Sequence, residues 1–137
     1  MNRFLVGSLP VFFYLLDIGA DVNCSGNYYG ETYPLHVAIS ETSLFFKFMK
    51  NNSKVIKLAQ KILDSLIITG AYVSSRDYLG RTPLHIAAQR NNIYAAQLLL
   101  KHNSKVMPRD GEGNTPLDYA ESGEMIRLLK DNGAKEF

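Results

Sequence analysis

The sequence predicts a mostly α-helical solenoid, in which helix pairs stack for about 3.5 repeats. Two observations carry this prediction. Arg76-Asp77, Gly80 and Thr82-Pro83-Leu84 return as Arg109-Asp110, Gly113 and Thr115-Pro116-Leu117, all displaced by 33 positions. A second phrase, an apolar run closed by glycine or asparagine, ends each unit: at Leu15-Leu16-Asp17-Ile18-Gly19, at Leu66-Ile67-Ile68-Thr69-Gly70, at Leu98-Leu99-Leu100-Lys101-His102-Asn103 and at Leu128-Leu129-Lys130-Asp131-Asn132-Gly133. Self-similarity at a period of roughly 20–50 residues marks units that bury their apolar faces on one another.

The units follow in order within one domain, 1–137. Residues 4–23 form a partial repeat that corresponds only to a second helix. Residues 24–74 form a full repeat, because Pro34-Leu35-His36-Val37-Ala38 pairs with Pro83-Leu84-His85-Ile86-Ala87. That pair is separated by 49 positions, so this repeat carries about 16 extra residues, placed at 40–57. Residues 75–107 are the regular repeat. Residues 108–137 are a shortened end repeat, with Lys130 where Leu100 stands before it, which finishes that face for solvent.

The regular unit explains itself physically. Gly80 supplies the positive φ of a turn. Thr82 caps a helix whose first position is Pro83, where a missing N–H costs nothing. Leu84, Ala87 and Ala88 line one helix face, and Asn91-Asn92 ends that helix and starts the next. Ile93, Ala96, Leu99 and Leu100 give the second helix its stripe. Glycine or asparagine after each such helix tolerates the left-handed conformation of a helix C-terminus.

Thr82-Pro83-Leu84-His85-Ile86-Ala87 at a 33-residue period, followed by a leucine run, resembles the ankyrin repeat. The resemblance covers nearly the whole chain. It departs from the family pattern at Asp118, which stands where histidine is usual, and at Tyr33, which stands where the capping threonine would be. The resemblance implies an L-shaped unit of a β-hairpin finger and two antiparallel helices, so that antiparallel helix pairs are joined by β-hairpin loops. It also implies a non-catalytic module that binds another protein through hairpin tips and the concave face of the first helices. On those positions stand Tyr28, Tyr29, Thr32, Ser40 and Glu41 in the first full repeat, Tyr78, Leu79, Arg81, Gln89 and Arg90 in the second, and Glu112, Asn114 and Ser122 in the third. Tyrosine and arginine are enriched where binding energy concentrates. The same tyrosines also suit a bracing role in the longer first hairpin.

Two further surfaces are apolar. Within the extra segment, Leu44, Phe45, Phe48 and Met49 are expected on one packed side of a prolonged or added helix, with an apolar docking patch as the functional alternative. On the docking reading, excision of 42–56 weakens binding and keeps the helical signal; if the segment is structural, the excision unfolds the protein. At the N-terminus, Phe4, Val11, Phe12, Leu15 and Leu16 exceed what one neighbour covers, which suggests either a homodimer through that helix or a missing upstream repeat.

Composition narrows the function classes. The chain has 137 residues, 46% hydrophobic and 20% charged, as in ordinary globular domains. Met1-Asn2-Arg3 before an apolar run has some character of a signal peptide, but the run is too short to span a bilayer. Cys24 is the single cysteine, so no internal disulfide forms and a reducing, cytoplasmic setting fits. The net charge of +2 and the lack of a long basic run argue against nucleic-acid and membrane partners. His36 and His85 lie in the repeated capping phrase and are expected to bond nearby backbone. No histidine pair has i, i+4 spacing, and no CxxC, G-x-S-x-G or phosphate-loop motif occurs, so no metal, cofactor or catalytic residue is assigned. A nucleic-acid-binding module, or a regulatory subunit of a larger enzyme assembly, remains the alternative.

Overall fold

Each repeated phrase starts a helix in the computed structural model, which describes residues 34–136. Six helices follow: α1 (Pro34–Phe48), α2 (Ser53–Ile68), α3 (Pro83–Arg90), α4 (Ile93–Lys101), α5 (Pro116–Tyr119) and α6 (Gly123–Asp131). The first helices of the pairs, α1, α3 and α5, pack one on the next, and α2, α4 and α6 form a second row behind them. The core runs between the rows. Leu35 and Ile39 of α1 meet Ile62, Leu63 and Leu66 of α2, and the buried set continues through Leu84, Ala87, Ala96, Leu99, Met125 and Leu129. Small Ala87, Ala88, Ala95 and Ala96 sit within 0–2% exposure, so α3 and α4 approach closely.

The capping chemistry matches the sequence expectation. Pro83 and Pro116 occupy the first turns of α3 and α5, and Thr82 and Thr115 stand at the N-caps. Asn91 takes the left-handed conformation at the end of α3, and Asn92 caps α4 by accepting from the Ala95 N–H. Gly70, Asn103 and Gly133 all have positive φ after their helices. The connecting hairpins are hydrogen-bonded turns, and no strand forms among the described residues. The Asp77 N–H donates to the Arg81 carbonyl, and the Asp110 N–H donates to the Asn114 carbonyl (2.9 Å each).

The extra residues add neither a loop nor a helix. They lengthen both helices of one pair: α1 has 15 residues against 8 in α3, and α2 has 16 against 9 in α4. The connection at 49–52 is also two residues longer than at 91–92, which accounts for the whole surplus. The facing of this segment differs from the sequence expectation. Ile39, Thr42, Ser43 and Phe46 share the inward stripe at i, i+3, i+4 and i+7, so Phe46 packs against the core and against Tyr94, ring centroids 6.1 Å apart. Phe48 lies two positions further on, almost half a turn away, and is 68% exposed, with Met49 at 41%. Leu44 and Phe45 are half-buried. The partial repeat 4–23, its proposed homodimer surface and Tyr33 lie outside the described residues.

Candidate interaction surface

Two histidines lock successive repeats together. Burial disfavours charge on both rings and holds their pKa values below the usual range, although each hydrogen bond to a carbonyl pulls the other way. His85 Nδ1 accepts from the Thr82 N–H at 3.0 Å, which fixes the proton on Nε2. That Nε2–H reaches the Asn114 carbonyl in the next hairpin at 2.8 Å. His36 Nε2 makes the same contact one repeat earlier, to the Arg81 carbonyl at 2.7 Å. Asp118 keeps only the capping half of this role, accepting from the Thr115 N–H at 2.8 Å. As a carboxylate it has no proton to donate in the way that the two imidazoles do.

Aspartates close the hairpins. Asp77 Oδ1 accepts from the N–H groups of Leu79 and Arg81, and its Oδ2 pairs with Arg81 Nε at 3.0 Å. Asp110 repeats the backbone pattern with Glu112 and Asn114 and accepts from the Tyr119 hydroxyl. Burial pushes the Asp110 carboxyl pKa up, but the hydrogen bonds from Tyr119 and from the two backbone N–H groups outweigh it and leave it below the usual range. Sequence reading missed these aspartates as organisers of the hairpins. Their recurrence at the 33-residue offset, two residues ahead of the turn tip, was the available signal.

The tips join into one ledge. The Gly111 N–H donates to the Leu79 carbonyl at 2.9 Å, and Arg76 Nη1 donates to the carbonyls of Gly80 and Arg109 at 2.8 and 2.6 Å. This approach needs glycine at position 80. Its φ is +76°, and a Cβ there would stand 2.8 Å from the Gly111 nitrogen.

The expected binding residues fall into three groups on this frame. Tyr78 and Leu79 project from one tip, 53% and 44% exposed, with exposed Glu112 on the next tip. Gln89 and Arg90 are exposed at the end of α3. Arg81 joins tip to helix, because its Nη1 donates to Gln89 Oε1 at 3.2 Å while its Nε holds Asp77. Asn114, Ser40 and Glu41 are half-buried. Ser122 is engaged as the cap of α6 and donates to Asn91 Oδ1 at 2.7 Å. Tyr28, Tyr29 and Thr32 lie outside the described residues.

A buried polar cluster behind the ledge went unseen in the sequence. Asn92 has no solvent exposure, and its Nδ2 lies 3.1 Å from each of the Ile39 carbonyl, Thr42 Oγ1 and Ser43 Oγ. Thr42 and Ser43 in turn donate to the carbonyls of Ala38 and Ile39. Further back, the Tyr94 hydroxyl donates to Asp64 at 2.7 Å, and burial together with that carboxylate pushes its pKa up to about 12.

The family model for ankyrin repeats (3 copies) matches residues 53–136. The chain belongs to the ankyrin repeat family. It is similar to potassium channel GORK of Arabidopsis thaliana, 36% identical over 80 residues, covering 56% of this chain and 10% of the channel. It is similar to the serine/threonine-protein kinase VIK of the same plant, 33% identical over 102 residues, covering 72% of this chain and 22% of the kinase. Rabankyrin-5 of Homo sapiens is 32% identical over 112 residues, covering 81% of this chain and 9% of that protein. The chain thus spans only a tenth to a fifth or so of these relatives' lengths. Ankyrin repeats are generally protein-interaction modules without catalytic activity of their own.

Proposed function

We propose that the chain is a non-catalytic module that binds a protein partner through its hairpin tips and the adjoining end of α3. The observation that carries this reading is the pair Tyr78 and Leu79, held exposed on a ledge whose backbone groups are already hydrogen-bonded to one another. A rigid tip loses little conformational freedom on binding, and a tyrosine covers a large contact area with few rotatable bonds. Arg81, bridged to both Asp77 and Gln89, orients the polar half of the same surface. Tyr28, Tyr29, Thr32 and Glu41 extend the proposed surface into the preceding repeat, and Glu112 and Asn114 extend it into the following one.

The test is affinity capture followed by mass spectrometry, with the Tyr78→Ala/Arg90→Ala double variant as control. A partner of this surface is lost by a factor of about 30 or more in the double variant, the effect of removing one hot spot of ~2 kcal/mol. Thermal unfolding stays unchanged, since both side chains are exposed. Capture that is indifferent to the double substitution refutes the assignment.

A further inference from the structure

The outer part of the lengthened helix pair, between Glu41 and Asp64, carries charge of one sign. Residues 42–63 contain Lys47, Lys50, Lys54, Lys57 and Lys61 and no aspartate or glutamate. The whole chain sums to only +2, so its cations are unevenly placed. All five lysines are exposed. On α2, Lys54, Lys57 and Lys61 recur at i, i+3 and i+7, on the face opposite buried Ala59, Leu63 and Leu66. Lys47 and Lys50 flank the apex, where Phe48 and Met49 are 68% and 41% exposed and the Lys47 ammonium lies 5.3 Å from the Phe48 ring centre. Seven additional residues in each helix set this apex roughly 10 Å beyond the neighbouring pair, at about 1.5 Å per residue.

We propose that this apex docks on an anionic lipid surface, with Phe48 and Met49 entering the interfacial layer and Lys47, Lys50, Lys54 and Lys57 meeting the headgroups. A projecting tip with apolar side chains at its end matches a broad, yielding surface. A segment free of carboxylates matches a surface of uniform negative charge. Lysine stems lie along apolar surroundings while their ammonium groups stay at the headgroups. Clusters of roughly four to eight basic residues recognise acidic lipids in this way. No helix among the described residues is long and apolar enough to cross a membrane, so the contact is peripheral. The expectation of no membrane partner rested on the overall charge, which the local arrangement does not follow. The surface lies apart from the Tyr78 ledge, and the two readings stand or fall separately.

Co-sedimentation of the full chain with vesicles tests the proposal. The chain is expected to sediment with phosphatidylcholine vesicles containing about 30% phosphatidylserine, to remain in solution with pure phosphatidylcholine, and to dissociate as salt rises. Lys50→Glu/Lys54→Glu lowers the partition coefficient at least about tenfold. Phe48→Ala lowers it about tenfold through lost apolar burial. Both variants keep the wild-type circular dichroism, because the substituted side chains are exposed. Absence of phosphatidylserine-dependent binding, or binding unchanged in either variant, overturns the proposal. Tighter retention on duplex DNA or on poly-glutamate than on the vesicles also overturns it, in favour of a nucleic acid or an acidic protein.

Discussion

Asn92 shows how much one side chain decides in a stacked fold. Its Oδ1 caps α4, and its two N–H groups are shared among three acceptors contributed by α1. Removing it sacrifices a helix cap and leaves buried oxygens short of donors, each effect worth about 1 kcal/mol or more. Asn92→Ala is therefore expected to destabilise by about 2–4 kcal/mol in urea unfolding. Asn92→Asp retains the cap but brings a buried carboxylate against the same oxygens, so it should cost at least as much as alanine. An aspartate variant as stable as wild type would show that the contacts to α1 contribute nothing. The linking histidines give a second expectation at this scale. Their folded pKa values are lowered, so the folded state binds fewer protons than the unfolded chain once the pH drops below about 6.5. Stability is then full above that pH and falls on acidification until the folded-state pKa values are reached. The slope is at most about 1.4 kcal/mol per pH unit for each ring. The structural cause at His85 is direct, because a proton on Nδ1 would face the Thr82 N–H that it now accepts. Urea midpoints measured between pH 7.5 and 5 check this, and a flat profile would contradict it.

The helix pair α1–α2 shows how an element absorbs an insertion. About 16 extra residues are taken up by two matched seven-residue extensions and a connection longer by two, so Phe46 still packs on Tyr94 and Asn52 still caps α2 through the Val55 N–H. Thr42 and Ser43 occupy the positions at which the next repeat turns with Asn91 and Asn92. Here the helix continues, and the two hydroxyls serve the neighbouring cap. Excision of 42–56 therefore removes two of the three acceptors of Asn92, Thr42 and Ser43, together with part of the core stripe. Of the two outcomes open from sequence, these contacts favour unfolding over a surviving helical signal. The excised chain should lose its cooperative unfolding transition, measured by circular dichroism during heating. A sharp transition near the wild-type temperature would show that the segment is an accessory after all.

At the largest scale, the described residues form a quasi-one-dimensional stack, so local stability follows position in the row. The last repeat has only four residues in α5, and Asp118 makes no link to a further hairpin. Lys130 faces solvent beside Glu136 at 3.1 Å where Leu100 packs inward one repeat earlier. Among the described helices, amides of α5 and α6 should exchange fastest, and those of α2 and α3, packed on both rows, slowest. Hydrogen exchange followed by mass spectrometry resolves this order, and uniform protection along the row would argue for a single cooperative unit. The stack also separates the two proposed contacts, with the rigid hairpin ledge at Tyr78 and the cationic apex at Phe48.

By itself, the sequence determined the repeat period, the helix starts at Thr-Pro, the helix ends at glycine and asparagine, and the size of the insertion. Each of these depends on local backbone chemistry, which a short phrase specifies and repetition makes visible. It also marked Tyr78, Leu79, Gln89 and Arg90 as surface, because repeat register assigns inside and outside. Only the tertiary structure decided that Phe46 rather than Phe48 faces the core, that Asn92 reaches Thr42 across 50 positions, and that Asp77 and Asp110 organise the hairpins. It likewise decided that the lysines of 42–63 gather on a projecting helix pair. Those outcomes depend on which helix lies against which and how far each extends, and such distances between neighbours leave no periodic mark in the chain.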